Sequence, residues 1–148
     1  MTNNKKKGDL IESGIYKKNE VDFPTLMSSL KNNLKIRNAG AVLSFNGIVR
    51  ETSKEGKLVK SLTIDAYDEL ANKSINQICE DIRKIQGIID IKLIHLKGKF
   101  KISEDLVYVA VASAHREEGF KALRIAVERY KKEIEVWKRE EFLDDSAE

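Results

Sequence analysis

Two groups of basic residues in the last third of the chain are the residues best suited to chemistry. The first group is His115 and Arg116, which follow the apolar run 106–112 and precede a stretch with helical spacing. A helix start presents unpaired backbone N–H groups and a positive dipole end, and arginine adds a fork of donors that fits a phosphate. The pair therefore predicts an anion site. The alternative is that His115 only caps the helix and Arg116 pairs with a surface carboxylate.

The second group is Lys131 and Lys138, with the chain's single tryptophan, Trp137, beside the second lysine. The β-branched residues in 134–137 predict that the helix ends and the chain becomes extended between the two lysines. A lysine shielded by tryptophan and surrounded by cations has a lowered pKa, so a fraction is neutral amine that accepts a proton or attacks an electrophile. The alternative is an ordinary solvated face in a chain with 27 basic residues.

A third cation, Arg50, ends the strand-like run 40–50. Gly47 in this run allows another backbone or a ligand to approach closely. Phe45 shares a strand face with Gly47, and it either lines a pocket or belongs to the core. If the three groups converge, they form a cationic pocket without a carboxylate of its own, which suits an anionic substrate.

The remaining candidate side chains predict structural roles. Cys79 falls on the apolar face of the predicted helix 70–85, so we expect a buried thiol, and a single cysteine excludes an intrachain disulfide. His95 lies in a predicted strand among apolar neighbours, where histidine is more often structural. Two histidines without a third nearby ligand argue against zinc, and we expect neither a metal nor a cofactor.

Composition restricts the class of protein further. With 27 basic and 24 acidic residues the net charge is only +3, which is a weak basis for nucleic-acid binding. No apolar run approaches the ~18 residues of a membrane span, and no signal-type segment follows the N-terminus, so we expect a cytoplasmic protein. At 148 residues we expect a disordered basic tail over residues 1–8 and a single domain over 9–148.

The elements that must position these residues predict an α+β fold. Asp22 and Pro24 indicate a helix start, and alternating apolar residues in 62–66 indicate a half-buried strand. Strands are expected at 89–96, with a turn at Gly98, and at 106–112. The last helix is expected to present a face of Phe120, Leu123, Val127, Tyr130 and Ile134 to the core. Strands and helices do not alternate regularly, which favours α+β over a doubly wound sheet.

Three segments together resemble the large, catalytic subunit of molybdopterin synthase. That family has the pattern G-A-V-x-x-F-x-G-x-V-R, matched by residues 40–50, and an S-x-H-R turn, matched by 113–116. It also has K-x6-K with W-K-[KR]-E, matched by 131–140. Each motif alone is weak, but three in this order are specific, and the resemblance covers about residues 40–140. Glu135 departs from the family, which usually has proline there, and the chain ends in an acidic run after 142.

The resemblance implies an α/β-hammerhead-like domain with a small additional β-subdomain, working as a homodimer. It implies a sulfurtransferase of molybdenum cofactor biosynthesis that forms the dithiolene of molybdopterin from cyclic pyranopterin monophosphate. The sulfur donor would be the C-terminal glycine thiocarboxylate of a ubiquitin-like small subunit, and the two proteins would form a heterotetramer. Lys138 and Lys131 would be catalytic; His115, Arg116, Arg50 and Phe45 would bind the substrate.

Two other functions are compatible with the same residues. The same cations could belong to a small α+β module that binds a nucleotide or RNA, although RNA binding favours exposed aromatic residues among the basic ones. The chain could also be a scaffold subunit with an inert pocket.

Overall fold

The computed structural model describes residues 11–143, so the expected tail at 1–8 and most of the acidic run after residue 142 lie outside the described residues. Six strands, three α-helices and one short 3₁₀ helix account for most of this part. In chain order they are β1 Gly14–Lys17, α1 Phe23–Lys31, the 3₁₀ helix Leu34–Asn38, β2 Ala41–Ile48, β3 Val59–Ala66, α2 Asp68–Arg83, β4 Ile88–Lys101, β5 Asp105–Ser113, α3 Arg116–Glu133 and β6 Val136–Phe142.

The strands form one sheet in the order β2-β5-β4-β3-β6, and β1 pairs in parallel with β4. Strand β5 lies between β2 and β4 with antiparallel pairing on both sides. Its residues are buried on both faces, which explains the near-continuous apolar run in the sequence. Strand β3 pairs with β6 along its length, and in this register Lys138 lies opposite the buried Ile64.

Strand β4 is longer than the sequence predicts, and it joins two parts of the sheet. Residues up to His95 pair with β5, and residues from Gly98 onward pair with β3. The predicted turn at Gly98 is therefore wrong, because the strand continues to Lys101. Gly98 has a φ of 136°, a conformation that favours glycine, so the chain bends at this residue without leaving the sheet.

Helices cover both faces of the sheet. Helices α2 and α3 pack together against one face, while α1 packs against β4 and β5 on the other, where Leu30 meets Ala110 and Ala112. Asp22 caps α1 as expected, because its carboxylate accepts a hydrogen bond from the Thr25 N–H. The expected core face of α3 is partly wrong, since Phe120 is 62 % exposed. Of the expected face, Tyr130 is buried, and the other buried residues of this helix are the small Gly119, Ala122 and Ala126.

The α+β prediction is confirmed, with mostly antiparallel strands and helices that do not alternate regularly with them. The small β-subdomain expected beside the hammerhead-like part consists of β3, β6 and the end of β4. Within residues 11–143, no helix is both long enough and apolar enough to cross a bilayer. No three histidine, cysteine or acidic side chains in the same part of the chain are grouped as metal ligands would be.

Candidate active site

The His115 and Arg116 pair lies where the sequence places it, at the junction of β5 and α3. The fully buried Ser113 hydroxyl donates to the His115 carbonyl at 2.6 Å, which fixes the turn between strand and helix. Gly40 reaches the same turn, because its N–H donates to the Ser113 carbonyl at 2.8 Å. Around this turn is an open depression of about 500 Å³, called here the helix-start hollow. It is lined by Gly40, Ala41, Ala114, His115, Arg116 and Glu117.

His115 does cap the helix, as the alternative interpretation required. Its N–H donates to Glu118 Oε2 at 3.1 Å, and its Nδ1 lies 3.3 Å from the same oxygen. The expected absence of carboxylates is therefore wrong for this hollow, which Glu117 lines and Glu118 adjoins. Arg116 behaves differently. None of the ion pairs among residues 11–143 involves its guanidinium, so its donors remain available to an anion.

Lys131 and Lys138 meet in a second cavity of about 500 Å³, called here the lysine cavity. Lys131 comes from the last turn of α3, Lys138 from β6, and Lys54 from the loop between β2 and β3. The helix ends at Glu133 and the chain is extended from Val136, as predicted from the β-branched residues. No carboxylate lines this cavity. Its lining residues are Lys54, His95, Tyr130, Lys131, Ile134, Val136, Trp137 and Lys138.

The environment of Lys138 disfavours its charged form. Removal of water from the ammonium group lowers the pKa of Lys138, and the charge of Lys131 lowers it further. Glu140 opposes this shift, and Lys54 adds the smallest lowering effect. Trp137 flanks Lys138 and stacks edge-on with Tyr67 at 5.2 Å between ring centroids. The lowered pKa of Lys138 agrees in direction with the sequence-based expectation, and a lowered pKa is one way in which lysine nucleophiles are activated.

Two uncharged polar side chains form the inner wall of the lysine cavity. His95 is only 2 % exposed and Tyr130 only 7 %, and their rings meet edge-on with centroids 5.8 Å apart. The sequence placed both in the core, because each has apolar neighbours at strand or helix spacing. Nothing in that spacing shows that β4 passes behind the C-terminal end of α3. Only the tertiary arrangement brings His95 to the cavity.

Phe45 and Arg50 line neither cavity described above. Phe45 packs 6.4 Å from the Tyr130 ring, and with Phe120 it lines a separate groove between β2 and α3. Arg50 is exposed and donates from Nε to the Thr52 carbonyl at 3.1 Å. Gly47 is needed for close packing: a Cβ there would lie 2.6 Å from Val107 and 3.5 Å from the Tyr130 hydroxyl.

The three groups do not converge within one chain. Arg116 begins α3 and Lys131 is in its last turn. Fifteen residues separate them, or about 22 Å along a helix. A straight helix holds the two clusters at its opposite ends, so a single copy has two separate cationic sites.

Cys79 is buried at 1 % exposure on the sheet-facing side of α2, and burial raises the pKa of its thiol. A protonated thiol without access to solvent neither carries nor exchanges sulfur. We expect Cys79→Ala to retain full activity and to lower the free energy of unfolding by about 1 kcal/mol. Denaturant unfolding and a single-turnover assay on the same preparation measure the two quantities. Lost activity in a variant of unchanged stability would contradict a structural role.

Comparisons with known proteins identify the family of this chain. The family described as "MoaE protein" matches residues 17–133. A molybdopterin synthase catalytic subunit from Pyricularia oryzae is 40% identical over 104 residues, which are 70% of this chain and 57% of that protein. This chain thus matches little more than half of that relative's length. The subunit from Thermoplasma volcanium is 34% identical over 75% of this chain and 80% of its own.

A crystal structure of molybdopterin synthase from Staphylococcus aureus has the same fold. It superposes with a TM-score of 0.79 at 29% identity, over 91% of this chain and 94% of the other. The matched region of the family contains β2, α3, the His115–Arg116 turn and Lys131, whereas β6 with Lys138 lies beyond it. The chain therefore belongs to the MoaE family, the family of the molybdopterin synthase catalytic subunits.

Proposed function

We propose that the protein transfers sulfur from a thiocarboxylated ubiquitin-like small subunit to cyclic pyranopterin monophosphate, forming the dithiolene of molybdopterin. The observation that carries the proposal is the lysine cavity, in which Lys138 lies beside Lys131 with no carboxylate in the wall. The anionic thiocarboxylate is attracted to the lysine charges, and a neutral Lys138 amine accepts a proton or attacks the substrate. The buried Cys79 fits a reaction whose sulfur arrives from outside the chain.

We assign the phosphate of the substrate to the helix-start hollow. Arg116 there has no competing carboxylate partner among residues 11–143, and the N-terminus of α3 adds the positive end of an 18-residue helix dipole. Arg50 is a second candidate for an anionic group, because its side chain is exposed three residues beyond Gly47. A cytoplasmic location is part of the same proposal.

The separation of the two clusters makes a homodimer part of the mechanism. About 22 Å between Arg116 and Lys131 is longer than a tricyclic monophosphate, so one chain alone does not bring both to the same molecule. In a two-fold dimer, the helix-start hollow of one copy can face the lysine cavity of the other, and symmetry then generates two equal sites. We therefore propose that each active site combines Lys131 and Lys138 of one copy with His115 and Arg116 of its partner.

A reconstitution experiment tests the function. The protein is mixed with a thiocarboxylated small subunit and cyclic pyranopterin monophosphate, and a dithiolene product is sought by mass spectrometry after derivatisation. Light scattering on the same mixture should give a dimer for the protein alone and a heterotetramer with the small subunit. A strictly monomeric protein that ignores the small subunit and makes no product would contradict the proposal.

The alternative of a nucleotide- or RNA-binding module has no support from the comparisons reported above, each of which names a molybdopterin synthase or its family. The inert scaffold is a weaker interpretation as well. A cavity lined by three lysines and no carboxylate, with the pKa of one lysine lowered, is typical of a functional site rather than of an inert surface.

Arg116→Ala should weaken substrate binding more than it slows the reaction of the bound substrate. A charge-assisted bond from guanidinium to phosphate contributes about 1.5–3 kcal/mol, which corresponds to roughly tenfold to a hundredfold in affinity. Titration calorimetry with cyclic pyranopterin monophosphate measures the affinity, and Arg124→Ala on the same helix is the matched control. An unchanged affinity would place the phosphate elsewhere, and Arg50→Ala would then be the variant to test.

A further inference from the structure

His95 presents an unprotonated ring nitrogen to the lysine cavity. Its Nδ1 lies 3.1 Å from the Leu96 carbonyl oxygen, which only accepts hydrogen bonds. Nδ1 therefore carries the ring proton, and Nε2 is left with a lone pair. The pKa of His95 is lowered to about 4, first by burial and further by the charge of Lys138, so the ring is neutral at physiological pH.

His95 Nε2 and the Tyr130 hydroxyl are both accessible from the cavity. Within residues 11–143, every fully enclosed side-chain nitrogen or oxygen has a hydrogen-bond partner in the protein, whereas these two atoms have none. Both atoms therefore contact open space, and both residues line the lysine cavity. Burial raises the pKa of Tyr130 to about 12, so its hydroxyl keeps its proton and donates.

The lysine cavity thus has two chemically distinct parts. Lys54, Lys131 and Lys138 supply positive charge, while His95 and Tyr130 supply one neutral acceptor and one neutral donor on the inner wall. Neutral groups at this depth contribute little to attracting an anion. They are suited to the edge of an uncharged heterocycle that carries an N–H group next to a carbonyl oxygen, because each then finds its complement away from water.

We propose that His95 and Tyr130 form the recognition wall for the uncharged pyrimidinone edge of the pterin, with His95 Nε2 accepting from a ring N–H and Tyr130 donating to the adjacent carbonyl. The inference rests on the proposed function and names the part of its substrate that the cavity binds. The rigid supports of the two side chains, β4 at the sheet junction and the last turn of α3, fix the heterocycle relative to Lys138. A site of this kind discriminates strongly against analogues that lack the matching polar groups.

Two substitutions of His95 separate recognition from structure. In His95→Asn, the side-chain amide replaces Nδ1 and keeps the bond to the Leu96 carbonyl, but nothing replaces Nε2. In His95→Gln, the amide reaches the position of Nε2 and offers an acceptor to the cavity. A structural histidine is rescued by asparagine, whereas a histidine that binds substrate is rescued by glutamine. Tyr130→Phe removes only the hydroxyl and tests the other half of the wall independently.

The experiment measures the affinity of each variant for cyclic pyranopterin monophosphate by calorimetry, the affinity for the thiocarboxylated small subunit, and the melting temperature. We expect His95→Asn and Tyr130→Phe each to weaken pterin binding by roughly threefold to tenfold, the effect of one lost hydrogen bond. His95→Gln should stay within about twofold of the unsubstituted protein, since its hydrogen bond is kept. Affinity for the small subunit should be the same in all three variants.

Two results would overturn the inference. Asparagine outperforming glutamine at His95 would mean that the histidine is structural. Reduced affinity for the small subunit, with pterin binding unchanged, would mean that the inner wall holds the partner's peptide tail instead. Failure of the proposed function is distinguishable from either result. In that case the unsubstituted protein binds the pterin but forms no dithiolene, while the comparison of His95→Asn with His95→Gln still decides the role of the wall.

Discussion

Lys138→Ala should reduce single-turnover sulfur transfer by at least about a hundredfold, the usual loss when an acid–base group or amine nucleophile is removed. Lys138→Arg should fail almost as severely. Guanidinium stays protonated at any pH the protein survives, so it supplies charge but neither a proton acceptor nor a nucleophile. The measurement uses the dimer with a preloaded thiocarboxylate partner and saturating pterin, so that binding steps do not limit the rate. Near-normal turnover in Lys138→Arg would reduce the lysine to a positive charge.

The pH dependence of the same reaction has a defined sign. The neutral amine is the reactive form, so the rate should rise with pH through the lowered pKa of Lys138 and level off above it. Lys131→Ala removes a neighbouring positive charge, which raises the pKa of Lys138 and moves the rising limb to higher pH. Lys132→Ala is the matched control, because this exposed neighbour does not line the lysine cavity and should leave the profile in place.

Local patterns predicted the elements of the fold and the residues that each one carries. The apolar run 106–112 became a strand buried on both faces, and the Ser-x-His-Arg turn became the start of α3. The predicted break between helix and strand lies between Lys131 and Lys138, and both lysines line one cavity. These features depend on interactions within a few residues, which is why the spacing of residue types was sufficient to predict them.

The errors concern arrangement over longer distances. Phe120 fits the helical spacing of a core residue, yet α3 approaches the sheet through Gly119, Ala122 and Ala126, because small side chains allow closer packing. His95 has the apolar neighbours of a structural residue, and only the crossing of β4 behind α3 exposes its ring nitrogen to the cavity. The three cationic groups do not form a single pocket in one chain, and the fifteen residues of predicted helix between Arg116 and Lys131 already imply about 22 Å between them.

Because α3 separates Arg116 from Lys131, activity should be restored when two inactive variants are mixed. Lys138→Ala and Arg116→Ala should each be nearly inactive alone at low substrate concentration, and a mixture of the two should regain activity. In a mixed dimer, the intact Lys138 of one copy faces the intact Arg116 of the other, so one of its two sites is complete. Random exchange of equal amounts makes about half of the dimers mixed, and the mixture should therefore recover about a quarter of the activity of the unsubstituted protein.

The control for this experiment is a mixture of Arg116→Ala with His115→Ala, two changes in the same helix-start hollow. Every site in that mixture has a damaged anion-binding turn, so no recovery beyond the sum of the two variants is expected. Native mass spectrometry of the Lys138→Ala and Arg116→Ala mixture establishes that subunits have exchanged before the assay begins. Exchanged dimers without recovered activity would contradict an active site shared between two copies. The lysine cavity would then act without the partner's Arg116. A cation of the same cavity would have to bind the phosphate, and Lys54 is the candidate.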